Sequence, residues 1–140
     1  MPNLGFRLGD LTGLLLNKYL EDKMNKNFVS VPLHLIRRKE REFNQSTFIS
    51  EGIINIVGGR LFKDVLKRVR YTQSQTKLNR EERQSNIQDA FIVKTIEPLP
   101  SKMILVDDLI TTGATLNECA RILKENGVKE IIGLSVASPV

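Results

Sequence analysis

The stretch Met103-Ile104-Leu105-Val106-Asp107-Asp108-Leu109-Ile110-Thr111-Thr112-Gly113-Ala114-Thr115 constrains this 140-residue chain more than any other. Four apolar residues run into two adjacent carboxylates, then a short hydroxyl-and-glycine turn, then a helical pattern from Ala114 to Asn126. A strand apolar on both faces, as Ile104 to Val106 would be, belongs in a parallel sheet covered by helices on both sides. Its C-terminal end is where such a sheet offers a crevice. Thr111, Thr112, Gly113, Ala114 and Thr115 suit an anion, because backbone N–H groups at a helix start lack partners, hydroxyls add donors and glycine permits close approach. Asp107 and Asp108 would repel that anion and are expected to face vicinal hydroxyls instead. Phosphate at one end and diol at the other describe a ribose 5-phosphate.

The rest of the chain reads as alternating strands and helices, which implies a parallel sheet with right-handed crossovers. Residues 8 to 24 place Leu8, Leu11, Leu15 and Tyr19 on one helical face, expected to cover the sheet. Phe28 to Val31 reads as a strand closed by Pro32, and Asn44 to Val57 as a helix stopped by Gly58-Gly59. Leu61 to Leu66 reads as a short strand, and residues 67 to 89 as a long polar loop expected to order over a ligand, with a short helix at Asn79 to Arg83. Ala90 to Val93 and Ile131 to Val136 are further strands, and the motif helix presents Leu116, Ala120 and Leu123.

Length fits one domain, 1–140. No apolar run approaches a membrane span and the first residues do not form a signal-peptide pattern, so a cytoplasmic protein is expected. The lone Cys119 excludes an internal disulfide and falls near the sheet-facing side of its helix, where a buried core thiol is expected. The net charge of +5 is concentrated in the middle, with eight Lys or Arg against three acids in residues 60 to 83. Such a field suits either a polyanionic small ligand or nucleic acid. After Pro32, four cations (Arg37, Arg38, Lys39 and Arg41) fall in five positions, in a turn expected on the same sheet edge as the phosphate loop.

The thirteen-residue stretch resembles the PRPP-binding motif of type I phosphoribosyltransferases. Val31-Pro32-Leu33-His34 with Arg37, Arg41, Phe43, Asn44 and Gln45, and the block from Arg68-Val69-Arg70 through Leu78, Arg80, Arg83 and Asn86 to Ala90-Phe91, are similar to blocks of the competence-associated ComF family. The resemblance covers about residues 28 to 137 and lacks that family's N-terminal zinc ribbon, as in a short member or a fragment. Glu42 also stands where the family usually has glycine.

The resemblance implies a type I phosphoribosyltransferase fold, α/β, with a mainly parallel sheet flanked by helices and a flexible loop over the site. It implies Mg²⁺-dependent transfer of phosphoribosyl from PRPP to an unidentified acceptor, with release of pyrophosphate. Asp107 and Asp108 would hold the ribose hydroxyls directly or through Mg²⁺, and Thr111 to Thr115 the 5-phosphate. Leu33, His34, Arg37, Arg38 and Arg41 would bind pyrophosphate, and Arg70, Arg80 and Arg83 would reach phosphate from the flexible loop. Purine or pyrimidine salvage and amidophosphoribosyltransferase-like chemistry are the enzymatic alternatives, although no glutaminase cysteine lies at the N-terminus. A non-catalytic PRPP sensor or DNA-binding accessory, associated with DNA uptake or competence proteins, is the alternative from another class. A homodimer is a further expectation.

Overall fold

The computed structural model describes residues 2–17, 26–32, 45–69, 90–110 and 112–137. In chain order these form α1 (Pro2–Leu16), β1 (Asn27–Ser30), α2 (Gln45–Val57), β2 (Arg60–Leu61), β3 (Leu66–Arg68), β4 (Phe91–Val93), β5 (Lys102–Leu109), α3 (Ala114–Glu125) and β6 (Glu130–Ala137). Four strands make a parallel sheet in the order β2-β1-β5-β6, while β3 and β4 form a separate antiparallel ribbon.

Strand alternation divides the core in two. From β1 and β5, Val29, Val31, Met103 and Leu105 face Leu116, Cys119 and Leu123 of α3, and Leu66 and Phe91 of the ribbon join the same cluster. Phe28, Ile104 and Val106 point the other way, onto Ile49, Ile53 and Val57 of α2. β5 is therefore apolar on both faces because helices cover both. Removing each of these large side chains from water contributes about 1.5–3 kcal/mol.

α2 ends where expected. Gly58 and Gly59 take φ of 76° and 119°, and the Gly58 N–H donates to the Ile54 carbonyl at 2.8 Å. Three other expectations are corrected. Leu61 to Leu66 is not one strand: Leu61 closes β2, Leu66 opens β3, and between them the chain turns through Asp64 at φ 60°. Lys67 and Arg68, read as the start of a polar loop, are strand residues paired with Ile92 and Phe91. The guanidinium of Arg68 lies 4.7 Å above the Phe91 ring, so the apolar partner of this basic stretch came from residues far along the chain.

The third correction concerns α1. Its leucine face does not cover the sheet, since Leu8, Leu11 and Leu15 are exposed. The buried face instead carries Gly5, Gly9 and Gly13 and lies against α2. A Cβ on Gly9 would collide with the Ile49 carbonyl and come within 2.8 Å of the Gly52 Cα, and one on Gly13 would come within 2.9 Å of the Ile56 Cβ. Backbone thus meets backbone, a contact that leucine could not make. Tyr19 and the segment Asn79 to Arg83 lie outside the described residues. Among the described residues no helix is long and apolar enough to cross a membrane.

Candidate functional site at the C-terminal end of the central strand

β5 extends through the acid pair to Leu109, so Asp107 and Asp108 are strand residues, held by pairing with β6 on one side. Asp107 stands opposite Ser135 and Leu109 opposite Ala137, and the Ile110 N–H continues the ladder to the Ala137 carbonyl at 3.1 Å. On the other side, Ser30 of β1 is in register with Val106, and the Val31 N–H donates to the Val106 carbonyl at 2.8 Å. The chain at Pro32 therefore leaves β1 beside the acid pair.

The two carboxylates have different surroundings. Asp107 Oδ1 accepts the Asp108 backbone N–H at 2.8 Å and the Ser46 hydroxyl at 3.4 Å. Burial pushes the Asp107 carboxyl up to about 7, and the Asp108 side chain adds to the rise through its hydrogen bond and its charge. The Asp108 N–H and Ser46 pull the other way, by stabilising the ionised form. Near neutrality Asp107 is thus divided between acid and carboxylate.

Ser46 was not apparent from sequence. It sits in the first turn of α2, nearly buried, and its carbonyl accepts the Ser50 hydroxyl at 2.8 Å, while the Ser30 and Ser50 hydroxyls lie 2.8 Å apart. This serine cluster ties β1 and α2 to the acid pair. The only signal was the i,i+4 spacing of Ser46 and Ser50 on the face that carries Ile49 and Ile53. Ser135 was also missed: its hydroxyl donates to the Asp108 carbonyl at 3.4 Å and the Ala137 carbonyl at 2.7 Å. A cleft of about 250 Å³ opens at the same end of β1 and β2, lined in part by Ser30, Pro32, Thr47, Phe62 and Lys63.

Beyond the acids the chain enters α3 through Gly113, whose φ of 85° makes it a left-handed N-cap. A Cβ there would meet nothing nearer than Asn117 Nδ2 at 3.8 Å, so the backbone angle and not crowding calls for glycine. Gly113 makes no side-chain cap hydrogen bond. Its carbonyl accepts the Asn117 N–H at 2.8 Å, and Thr112 Oγ1 accepts the Ala114 N–H at 3.3 Å. Ala114 is buried against the core and Thr115 is half-buried. Cys119 is fully buried in α3, and burial pushes its thiol far up, as suits a core residue and not a nucleophile.

Of the residues singled out from sequence, the structure thus brings together Asp107, Asp108, Thr112, Gly113, Ala114 and Thr115. Thr111, Leu33, His34, Arg37, Arg38, Arg41, Arg70, Arg80 and Arg83 lie outside the described residues. The donor set at the pair, carboxylate and hydroxyl oxygens, is of the hard kind that suits Mg²⁺. A metal held by this pair would keep waters and take substrate oxygens.

This architecture has known counterparts. A hypoxanthine-guanine phosphoribosyltransferase from Bacillus anthracis superimposes with a TM-score of 0.59 at 12% identity, over 100% of this chain and 72% of that one. A hypoxanthine phosphoribosyltransferase from Staphylococcus aureus gives 0.55 at 14% identity, over 96% and 63%. Identities this low speak for the fold alone. In sequence, the chain is 33% identical over 111 residues to Competence protein F of Haemophilus influenzae, covering 78% of this chain and 48% of that protein. It is 32% identical over 126 residues to Competence protein ComFC of Streptococcus pneumoniae, covering 90% and 54%. The DNA utilization protein YhgH of Salmonella typhi is 35% identical over 106 residues, covering 74% and 45%. The chain spans about half the length of these relatives. The phosphoribosyl transferase domain model matches residues 12–138, from inside α1 to the end of β6, and with these relatives it shows that the chain belongs to the phosphoribosyltransferase family as a ComF-type member.

Proposed function

We propose that the chain binds PRPP at the end of β5 and transfers its phosphoribosyl group to an acceptor. The observation that carries this reading is the junction of β5 and α3: two carboxylates on the central parallel strand lead within five residues to a glycine-capped helix start. The first-turn N–H groups of α3 and the hydroxyls of Thr111, Thr112 and Thr115 would hold the 5-phosphate. Asp107 and Asp108 would accept hydrogen bonds from the ribose hydroxyls, with Ser46 orienting Asp107. The segment after Pro32, with Leu33, His34, Arg37, Arg38 and Arg41, would take pyrophosphate, and Arg70, Arg80 and Arg83 would close over it.

In the transfer, the acceptor's lone pair forms a bond to C1 of the ribose as the bond from C1 to the pyrophosphate oxygen breaks. Pyrophosphate leaves with that electron pair and the acceptor gives up a proton. The negative charge at the acid pair would stabilise positive charge developing on the ribose ring. Asp107 and Asp108 would also hold Mg²⁺ where it is bound, and the ion would neutralise charge on the pyrophosphate. Exclusion of water by the covering loop would keep PRPP from hydrolysis.

Calorimetric titration of PRPP with Mg²⁺ tests this. The chain is expected to bind, and the Asp107→Asn/Asp108→Asn variant to bind at least about tenfold more weakly, a loss of about 1.4 kcal/mol. Equal affinity in both would overturn the reading.

A DNA-binding role gains support from the names of the relatives, DNA utilization and competence proteins, and from the basic middle of the chain. The described part of that basic stretch argues for less free charge than the sequence suggests. Arg60 pairs with Glu97 at 3.5 Å, Lys63 with Glu51 at 3.2 Å and Lys67 with Asp64 at 3.5 Å. A DNA affinity falling steeply with salt, without PRPP turnover, would favour this second reading.

A further inference from the structure

We infer that Asn126 and Gly127, at the C-terminal end of α3, form a self-modification site at which the chain converts its own asparagine to aspartate and isoaspartate. The inference is independent of what the site at β5 does. Asn126 is the only one of the chain's ten asparagines that is followed by glycine. A Cβ on the following residue hinders attack of its backbone nitrogen on the asparagine amide, and glycine has none. Both residues are exposed, and a Cβ built on Gly127 would meet nothing within 4 Å, so the turn has room to rearrange.

The cap holds the pair short of reaction. Asn126 sits at φ −102° and ψ 22°, and its Nδ2 donates to the Ile122 carbonyl at 2.8 Å. That bond turns the side-chain amide back along α3 and away from Gly127. The turn itself is held less firmly. The Gly127 N–H donates to the Lys124 carbonyl at 3.2 Å and the Val128 N–H to the Leu123 carbonyl at 3.2 Å, both at the long end of the range for such bonds. A terminal turn held in this way opens more readily than the body of the helix.

In the open turn the Gly127 nitrogen gives its proton to solvent and forms a bond to Asn126 Cγ. The bond from Cγ to Nδ2 breaks, and Nδ2 leaves as ammonia with a proton taken from solvent. Water then hydrolyses the cyclic imide. Opening at the side-chain carbonyl gives aspartate, and opening at the backbone carbonyl gives isoaspartate, whose main chain runs through the former side chain. Either product acts on α3. Aspartate puts a negative charge at a helix C-terminus that is already the negative pole, and it has no Nδ2 to give Ile122. Isoaspartate lengthens the backbone just before Val128, which is buried in the cluster that holds Leu123 and Cys119. Conversion therefore loosens the end of the helix whose start is the Gly113 turn.

Mass spectrometry of the full chain, incubated at mildly alkaline pH, tests this. The tryptic peptide Glu125-Asn126-Gly127-Val128-Lys129 is expected to gain the mass difference between water and ammonia before any other asparagine-containing peptide does, with isoaspartate detected by enzymatic carboxyl methylation. Gly127→Ala is expected to slow conversion at least about tenfold, because the added Cβ crowds the attacking nitrogen. Asn126→Gln, which needs a larger ring, is expected not to convert over the same period. The converted chain, separated by its extra negative charge, is expected to unfold at lower urea than the unconverted chain, with Asn126→Asp showing part of that loss. An intact Asn126, whether or not another asparagine converts, would overturn the inference. So would equal rates in the wild type and Gly127→Ala, and an unchanged urea midpoint after conversion would overturn the effect assigned to α3.

Discussion

Asp107 is the residue where fold and chemistry pull against each other. Its carboxyl lies near 7 in the folded chain against an ordinary 3.8, chiefly through burial. Between these values the folded state holds more protons than the unfolded state, so stability declines as pH rises through that window and the loss is complete above about 7. We therefore expect thermal stability, measured without divalent ions, to fall between about pH 5 and pH 7.5, by a few kcal/mol at most. Asp107→Asn should flatten that descent, and an unchanged slope would show that the carboxyl titrates elsewhere. The pair itself was legible in the sequence because its parts are contiguous. Ser46, Ser30 and Ser50 were not, since a serine gains its meaning here from three elements that only the fold brings together.

At the scale of elements, glycine at two ends of α3 separates geometry from ligand contact. Gly113 opens the helix at φ 85° and Gly127 follows it at φ 100°, and neither has crowding that a methyl group would worsen. Gly113→Ala and Gly127→Ala should each cost about 1–2 kcal/mol in urea unfolding, from backbone strain alone. Only the Gly113 change should also weaken PRPP binding, and equal effects on binding would remove the special role of that turn. α1 shows where element reading fails. Periodicity marks the leucines as the burying face, and for a helix against a sheet it is a sound guide. The neighbour of α1 is another helix, and Gly9 and Gly13, with Gly52 across from them, let two backbones approach more closely than any leucine would. The sequence signal was the regular Gly5, Gly9, Gly13 spacing, overlooked because glycine reads first as a helix breaker.

For the molecule as a whole, the parallel sheet was legible from the alternation of elements, because a strand followed by a helix has few other ways to bury both. Of the β3–β4 ribbon, β4 was legible as the strand Ala90 to Val93, while β3 and its pairing were hidden, since β3 is short, partly basic and separated from β4 by residues 70–89. Ligand binding offers a test at this scale. If PRPP with Mg²⁺ binds the folded chain alone, saturation at about a hundred times the dissociation constant should add about 2.7 kcal/mol to stability, and the same addition should leave the Asp107→Asn/Asp108→Asn variant unmoved. A gain in both would place the ligand elsewhere.

The strand order has a further consequence. β1 lies between β2 and β5, with Phe28 opposite Ile104, so β1 has to wait for a strand far down the chain. During synthesis at about 5–20 residues per second, β1 and α2 are made seconds before the strand that joins the two core clusters. In that interval Phe28, Ile49 and Ile53 lack the Ile104 and Val106 side chains they pack against, leaving apolar surface of the kind that chaperones bind.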